Sequence, residues 1–412
     1  MKNMKKFMPI RKHAALFACS ILFLRCSNDQ AVTSPPRTDI FNKFTFRQIV
    51  PASALPSAPA NLKFFPNSND FLVLNKTGEV YHYILENLSA RFLGSFIVPA
   101  VAPAPEEIGL TGVAFDPDFA ANRFFYFCFT TGDNKWSRIV RYRWSADYAE
   151  VEKSITMVSN VDRLLPDEPQ HGVYSIVFGS DGFLYAAIGD ALQPEYAQDP
   201  QSLLGKLIRL RPSREPQGGY SIPADNPYFD EEGVRPEIAA FGVRTPFRLV
   251  VWQDKIYIAN VGSNKYDEIE MYTLGKVNFG WPYCEGYCET GGYRNPVLVV
   301  SHADPFYQTQ DPERSNSNRL SIGVGVAYAG AGPDPYNDLL DSRLIFYDVY
   351  QGYVRAAQIL ADGALNDDQH IFHLEYITGM DVGLDGYIYG TTLFSPQVFR
   401  IELKQDALRP QK

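Results

Sequence analysis

The sequence predicts an all-β protein, a six-bladed β-propeller. Two observations carry this. Helical periodicity is scarce along the 412 residues, with one short helical turn expected in "DPQSLLGKL". And one unit recurs six times: an apolar strand, a turn rich in Asp, Asn, Pro or Gly, a second strand, then an alternating third strand. Six antiparallel sheets of this size close into a propeller.

The units run in order along the chain. The first, "NLKFFPNSNDFLVLNKTGEVYHYIL", begins at Asn61, and the second, "GVAFDPDFAANRFFYFCFTT", begins at Gly112 with "SRIVRYRW" after it. The third is "QHGVYSIVFGSDGFLYAAIGDA", residues 170–191, followed by "GKLIRLRP". The fourth, "RLVVWQDKIYIANVG", starts at Arg248 and leads to "DEIEMYTL". The fifth starts at Gly323 with "GVGVAYAG" and continues in "SRLIFYDVYQGYVRAAQI"; the sixth is "GMDVGLDGYIYGTTLFSPQVFRIEL" from Gly379. The Asp-Gly and Asn-rich turns are hairpin signals. Spacing between units is long and irregular, so the connecting loops are large. One of them, "LVVSHADPFYQTQDPERSNSNRL", has no apolar period and is expected at the surface as a functional loop or lid.

The propeller is expected over residues 45–404, with a linker at 27–44 and a tail at 405–412. Residues 1–26 have the plan of a secretory signal: Lys2, Lys5, Lys6, Arg11 and Lys12, an apolar run over 14–24, then a polar start. The apolar run is too short to span a bilayer. Export to the periplasm or cell envelope follows. Cys26 at the end of the run suggests a lipid anchor, while Arg25 before it is wrong for the usual small residue, so anchoring stays open. Losing 1–26 removes six cations (Arg25 is the sixth) and no acid, taking the net charge from −9 to −15. Such a charge argues against nucleic acid or an anionic membrane as partner.

Three cysteines remain in the mature chain. An exported protein permits a disulfide, and "CEGYC" closes a small loop if Cys284 and Cys288 pair. Cys128, in the strand-like "FFYFCFTT", reads as a buried apolar residue. No Cys/His spacing fits zinc, and His370 and His373 lack further ligands.

The third unit poses the functional question. His171 precedes its first strand and Asp190 follows its second. In an antiparallel hairpin these positions share one end, with strands about 4.8 Å apart. A carboxylate beside an imidazole raises its basicity and fixes its tautomer, a common arrangement for a general base. In a propeller, residues just before the first strand and just after the second gather at one channel mouth. Those positions are Glu106 and Glu107, His171 and Asp190, Arg244, Asn260 and the 261–264 turn. Polar loops line every propeller mouth, so convergence of several chemically apt groups is the telling feature.

An ordered series of blocks resembles a known family. "EEIGLTGVAFDPDF", "HGVYSIVFGSDGFLYAAIGD", "AQDPQSLLGKLIRLRP", "YSIPADNPYFD", "RPEIAAFGVRTPFRLVV", "NVGSNKYDEIE" and "VNFGWPYCEG" together resemble the soluble glucose/sorbosone dehydrogenases, the pyrroloquinoline-quinone (PQQ) dependent aldose dehydrogenases. The resemblance covers roughly residues 45–403 and implies a six-bladed propeller. It implies a sugar substrate, PQQ as hydride acceptor and an electron acceptor of unspecified kind. It makes His171 the base for the sugar C1 hydroxyl and Asp190 the acid that orients it. Arg244 matches the arginine that meets the quinone oxygens or carboxylates, Thr245 and Asn260 stand beside it, and Glu107 falls where members carry Gln or Glu. Calcium is implied at the turn matching Gly262 and Ser263, beside the acidic pair Asp267 and Glu268, which are equally suited to structural hydrogen bonds.

The sequence also departs from that family. Gly172-Val173-Tyr174 after the histidine is bulkier than the usual small residues, and Thr245 replaces an Asn. The fifth unit has Tyr350-Gln351-Gly352 where glucose-oxidising members place a Lys ahead of Arg-Gly, and "LEYITGMD" has Glu375 where members carry arginines. A lost charge-assisted hydrogen bond to a tricarboxylate is worth about 1.5–3 kcal/mol. A Lys or Arg from elsewhere, such as Lys265 or Arg314 in the long insert, would compensate. Three readings follow: an exported PQQ-dependent sugar dehydrogenase; a propeller without cofactor that binds a glycan or protein at the cell surface; and a calcium-dependent lactone hydrolase, for which the carboxylate and amide cluster is not evident.

Overall fold

Antiparallel hairpins account for most of the regular structure among the described residues. A computed structural model describes residues 39–55, 58–102, 108–133, 135–145, 151, 156–164, 170–303, 320–330 and 332–405, which form six mainly antiparallel sheets. The expected signal at 1–26 with Cys26, Glu106 and Glu107, most of the long insert with Arg314, and most of the 405–412 tail lie outside these residues.

The inner strands are Pro59–Phe64, Leu110–Phe115, Val173–Phe178, Thr245–Trp252, Ile322–Tyr328 and Ile377–Val382. They follow one another around a central axis, and the sixth packs against the first. We call their sheets blades 1 to 6. The six expected units appear in the expected order.

The ring is closed by a strand that the unit count missed. Phe44–Val50 pairs antiparallel with Gln397–Leu403, so both ends of the propeller chain share blade 6. Residues assigned to the linker are therefore part of the core: Ile40 and Phe44 are fully buried. The Ile40 N–H donates to Gln369 Oε1 at 2.9 Å. The helical turn expected in "DPQSLLGKL" is replaced by non-helical turns; a 3₁₀ turn lies just before it at Pro194–Ala197, and one α-turn at Phe119–Asn122. Blade 3 is also larger than a simple hairpin unit, because Val277–Asn278 adds to it in parallel beside Ile238–Phe241.

Apolar burial holds the blades face to face. Six buried clusters occupy the six seams between neighbouring blades. The seam between blades 1 and 2 is aromatic, with Phe65, Phe115, Phe125 and Trp144 in mutual edge or tilted contact. This burial is the main favourable term holding the ring together.

Every inner strand carries a β-bulge where it pairs with its neighbour. A bulge leaves one residue outside the ladder; here these are Ala60, Thr111, Tyr174, Phe247, Gly325 and Thr378. Buried carbonyls released in this way need donors. One side chain supplies five of them. Arg248 Nε donates to Thr378 O at 2.8 Å, and Nη2 donates to Ala60 O at 2.6 Å. Nη1 approaches Tyr174 O at 3.0 Å, Phe247 O at 3.1 Å and Thr111 O at 3.3 Å. Guanidinium, with its five N–H groups in a fixed plane, suits a ring of carbonyls better than any other side chain. Arg248 thus ties together blades 1, 2, 3, 4 and 6 on the axis, between a cavity at each end of the channel.

Candidate active site

The hairpin of blade 3 delivers His171 and Asp190 to one end of the channel. His171 Nδ1 meets Asp190 Oδ1 at 2.6 Å, with both side chains almost wholly buried. The strand-end geometry expected from sequence is thus realised. His171 has a left-handed backbone, φ 51°, a conformation that non-glycine residues adopt at a cost. The surroundings enforce it: the His171 N–H donates to the Tyr174 hydroxyl at 3.1 Å, and Ala191 N–H donates to the His171 carbonyl at 3.3 Å. Gly189 is required here, since a Cβ would stand 2.5 Å from the His171 oxygen.

Asp190 is fixed from three further directions. Its backbone N–H donates to Arg244 O at 2.9 Å, joining blade 3 to blade 4. Oδ1 also accepts the Leu192 N–H at 3.0 Å, and Oδ2 accepts the Trp281 indole N–H at 2.9 Å. With both oxygens engaged, the carboxylate holds the imidazole with Nδ1 toward it, so Nε2 is the nitrogen that meets a ligand.

Arg244 stands next to this pair. Its Nη1 donates to the carbonyl of Gly262 at 2.7 Å and of Val261 at 3.2 Å, and its guanidinium lies 5.5 Å from the Trp281 ring centre. Asn260 lies behind the wall rather than on it. Its Oδ1 accepts the N–H of Arg244 and of Thr245, its Nδ2 donates to Glu268 Oε2, and it is 1% exposed. Its geometry is that of a brace for Arg244, and its amide is not presented to a ligand.

The 262–266 turn wraps around one carboxylate. Glu285 Oε1 accepts the backbone N–H of Ser263, Asn264, Lys265 and Tyr266. Burial raises the pKa of Glu285, but these four donors outweigh it and hold the group below its usual range. Glu285 itself is pinned between Cys284 and Cys288, which form a disulfide. The same loop therefore positions Trp281 on Asp190 and Glu285 on the turn.

The acidic pair beside the turn is engaged within the fold. Asp267 Oδ1 accepts the Gly262 N–H and meets His302 Nε2, each at 3.0 Å, and Oδ2 accepts the Ile322 N–H at 3.1 Å. Glu268 accepts from Asn260 and from the Gly286 N–H, and burial pushes its carboxyl up to about 7. Among the described residues no group of three or more His, Cys, Asp and Glu side chains is arranged to hold a metal. The Gly262 carbonyl thus accepts from Arg244, and both acids are engaged within the fold.

These elements surround a cavity of about 430 Å³ lined from all six blades, a size suited to a small-molecule ligand. His171, Arg244, Gly262 and Ser263 line it, where their placement along the blades put them, and so does Thr245, which the family resemblance suggested; Asp190 and Asn260, expected at the same mouth, stand behind the wall, as do Asp267 and Glu268. Of the bulky pair in the third unit, Tyr174 forms wall, whereas Val173 turns into the seam between blades 2 and 3. Lys76 and His302 also line it, and neither was anticipated. Lys76 comes from the turn between the second and third strands of blade 1, and His302 from the start of the long insert. Only their positions at strand ends could have signalled them.

The family model of the glucose/sorbosone dehydrogenases ("Glucose / Sorbosone dehydrogenase") matches residues 57–392. The chain belongs to this family. It is 29% identical over 350 residues to the aldose sugar dehydrogenase of Escherichia coli (strain K12), a match that covers 81% of this chain and 86% of that protein. The human Hedgehog-interacting protein is 27% identical over 164 residues, covering 35% of this chain and 23% of its own. Among solved structures, the PQQ-bound aldose sugar dehydrogenase of Streptomyces coelicolor superposes with a TM-score of 0.67 at 20% identity, covering 88% of this chain and 99% of that one. That likeness concerns the propeller fold. Family membership supports a sugar dehydrogenase role in broad terms, with a small-molecule sugar as the substrate class. No helix among the described residues is long and apolar enough to cross a membrane.

Proposed function

We propose that this glucose/sorbosone dehydrogenase family member is an exported, PQQ-dependent aldose dehydrogenase that oxidises the C1 hydroxyl of a sugar. The observation that carries the reading is the buried His171–Asp190 pair, with His171 on the wall of the cavity beside Arg244 and Asp190 behind it. PQQ fits the donor set, since the described wall presents Lys76, Arg244 and His302 and no carboxylate. When bound, it supplies the hydride acceptor.

The protein's part is proton handling and orientation. His171 Nε2 takes the hydroxyl proton as the C1 hydride departs. Asp190 keeps the imidazole in the tautomer with Nδ1–H and stabilises the imidazolium that forms. Arg244 and Thr245 offer donors to an anionic or carbonyl oxygen, and Tyr174 and Phe247 give the cavity apolar walls. Asp267 and Glu268 are assigned to structure, and no step is assigned to calcium. Export rests on the N-terminal signal plan.

The test is a PQQ titration of the purified protein, read by quenching of intrinsic fluorescence, followed by aldose-dependent reduction of a redox dye. Saturable micromolar binding with dye reduction is expected. His171→Gln should keep binding and lose turnover by about 10²–10⁴-fold. A second reading, a cofactor-free binding module, is favoured by the match to the Hedgehog-interacting protein and by the absence of the family cations from the fifth and sixth units. Absence of PQQ binding would select it.

A further inference from the structure

The three most exposed aromatic side chains among the described residues all stand at the cavity's end of the molecule. Tyr283 and Tyr287 rise from the disulfide loop that reaches Asp190 and the 262–266 turn, and Phe394 tips the turn between the second and third strands of blade 6. Of the three, Phe394 is the one joined directly to a residue of the cavity wall, Leu393. It is 65% exposed. A large apolar ring left open to water at the rim of a ligand cavity forgoes burial that a bound molecule can supply.

The ring is open but not loose. Tyr376 meets it edge-to-face, with ring centres 5.0 Å apart and planes at 86°. Tyr376 has a left-handed backbone, φ 63°, and joins two wall residues: its N–H donates to Val349 O, and its carbonyl accepts the Leu393 N–H at 2.8 Å. The turn that carries Phe394 is pinned by two buried threonines. Thr391 Oγ1 donates to Gln397 O at 3.0 Å, and Thr392 Oγ1 donates to Ser395 O at 2.6 Å. Pro396 further restricts the backbone of Ser395. A ligand that packs on a ring already fixed incurs little further loss of side-chain freedom.

Position decides what that ligand is. Blade 6 stands opposite blade 3 in the ring of six, so Phe394 and His171 belong to opposite sides of the mouth. A cavity of about 430 Å³ that also receives a tricyclic cofactor has room for little more than one sugar ring. The ring whose C1 reaches His171 lies on the blade 3 side, and a unit that reaches blade 6 is a further one. A sugar ring suits the surface it meets there. Its C–H groups carry slight positive charge, and the face of an aromatic ring is negative.

We propose that Phe394, steadied by Tyr376, is a stacking shelf for the second unit of a reducing oligosaccharide whose terminal aldose enters the cavity. The shelf gives blade 6 a part in substrate choice. The inference rests on the reading of the cavity as a sugar dehydrogenase site, but it concerns sugar binding and not redox chemistry.

The experiment uses the purified protein with glucose, maltotriose and cellotriose. Sugar binding is measured by calorimetry without cofactor, and kcat/KM with PQQ and a redox dye. Phe394→Ala removes the ring and Phe394→Tyr keeps its face; unchanged thermal midpoints would show that both fold. At least one trisaccharide is expected to be preferred over glucose. Phe394→Ala should lower that preference, the ratio of the two kcat/KM values, by about five- to tenfold, mainly through KM, while Phe394→Tyr retains it. A purely structural role would move both sugars alike and leave the ratio unchanged. No preference in the parent, or preference and binding equal in parent and Phe394→Ala, overturns the proposal and, with glucose oxidised, leaves the dehydrogenase reading intact. Trisaccharide binding that weakens in Phe394→Ala, with no sugar oxidised, upholds the proposal and removes the dehydrogenase reading. Failure of every sugar to bind or react overturns both.

Discussion

The indole N–H of Trp281 donates to Asp190 Oδ2 at 2.9 Å, although the two residues are 91 positions apart. Asp190 would otherwise have one oxygen on His171 and one facing the protein interior. The indole fixes the plane of the carboxylate and with it the plane of the imidazole. Trp281→Phe keeps the ring and removes the donor. Turnover is expected to fall about tenfold with little change in KM, less than for Asp190→Asn. Steady-state kinetics of both variants check this, and Tyr283→Phe, on the same loop and 73% exposed, should change neither constant.

Reduction of Cys284–Cys288 releases the loop that carries Trp281 and Glu285. The effect on global stability is small for so short a ring, about 2 kcal/mol or less. The effect on the site is larger, because the 262–266 turn loses the rigidity of its carboxylate partner. Under dithiothreitol, ligand affinity should fall while the thermal midpoint drops by only a few degrees. Thiol titration gives an internal control. The two loop thiols react after reduction, whereas Cys128, fully buried with its thiol pushed up to about 12, reacts only on unfolding.

Arg248→Met removes the donors to five buried carbonyls. The apolar replacement fills similar space but leaves those acceptors unsatisfied, a loss of at least about 3 kcal/mol. Arg248→Lys, with three donors in place of five, should fall between. Urea unfolding midpoints rank the three proteins.

Glu270 gives stability a particular pH dependence. Burial, then the neighbouring Glu268 carboxylate, hold it well above the usual carboxylate range. A group raised in the folded state binds its proton more tightly there than in the unfolded chain. Its contribution is complete in acid, below the unfolded value near 4.5, and is lost as pH rises through the folded value. Glu270→Gln should therefore raise the thermal midpoint at about pH 8 and leave it unchanged at about pH 4. An equal gain at both would point to packing and not to charge.

Much of this was legible in the chain itself. The six units, their order and the meeting of His171 with Asp190 follow from local alternation and turn chemistry. The closing strand Phe44–Val50 was not, because it lies some 350 residues from its partner and belongs to no repeat of its own. Arg248 looked like the first residue of an ordinary strand, since its five acceptors are backbone atoms that exist only once the bulges form. Lys76 and His302 were hidden for a related reason. Each stands at a strand end in a turn of common composition, and only closure of the ring aims both at one cavity. The acids at 267 and 268 were legible as a pair but not as a structural one, because their partners are the backbone N–H groups of three separate segments and the side chains of Asn260 and His302.

Arg248 also dictates traffic. With the axis stoppered at mid-height, the propeller offers a dead end in place of a through-passage. Anything resting on the stopper must arrive before, and depart after, whatever lies above it. If a reaction here takes two ligands, the one resting on Arg248 would have to load before the one above it.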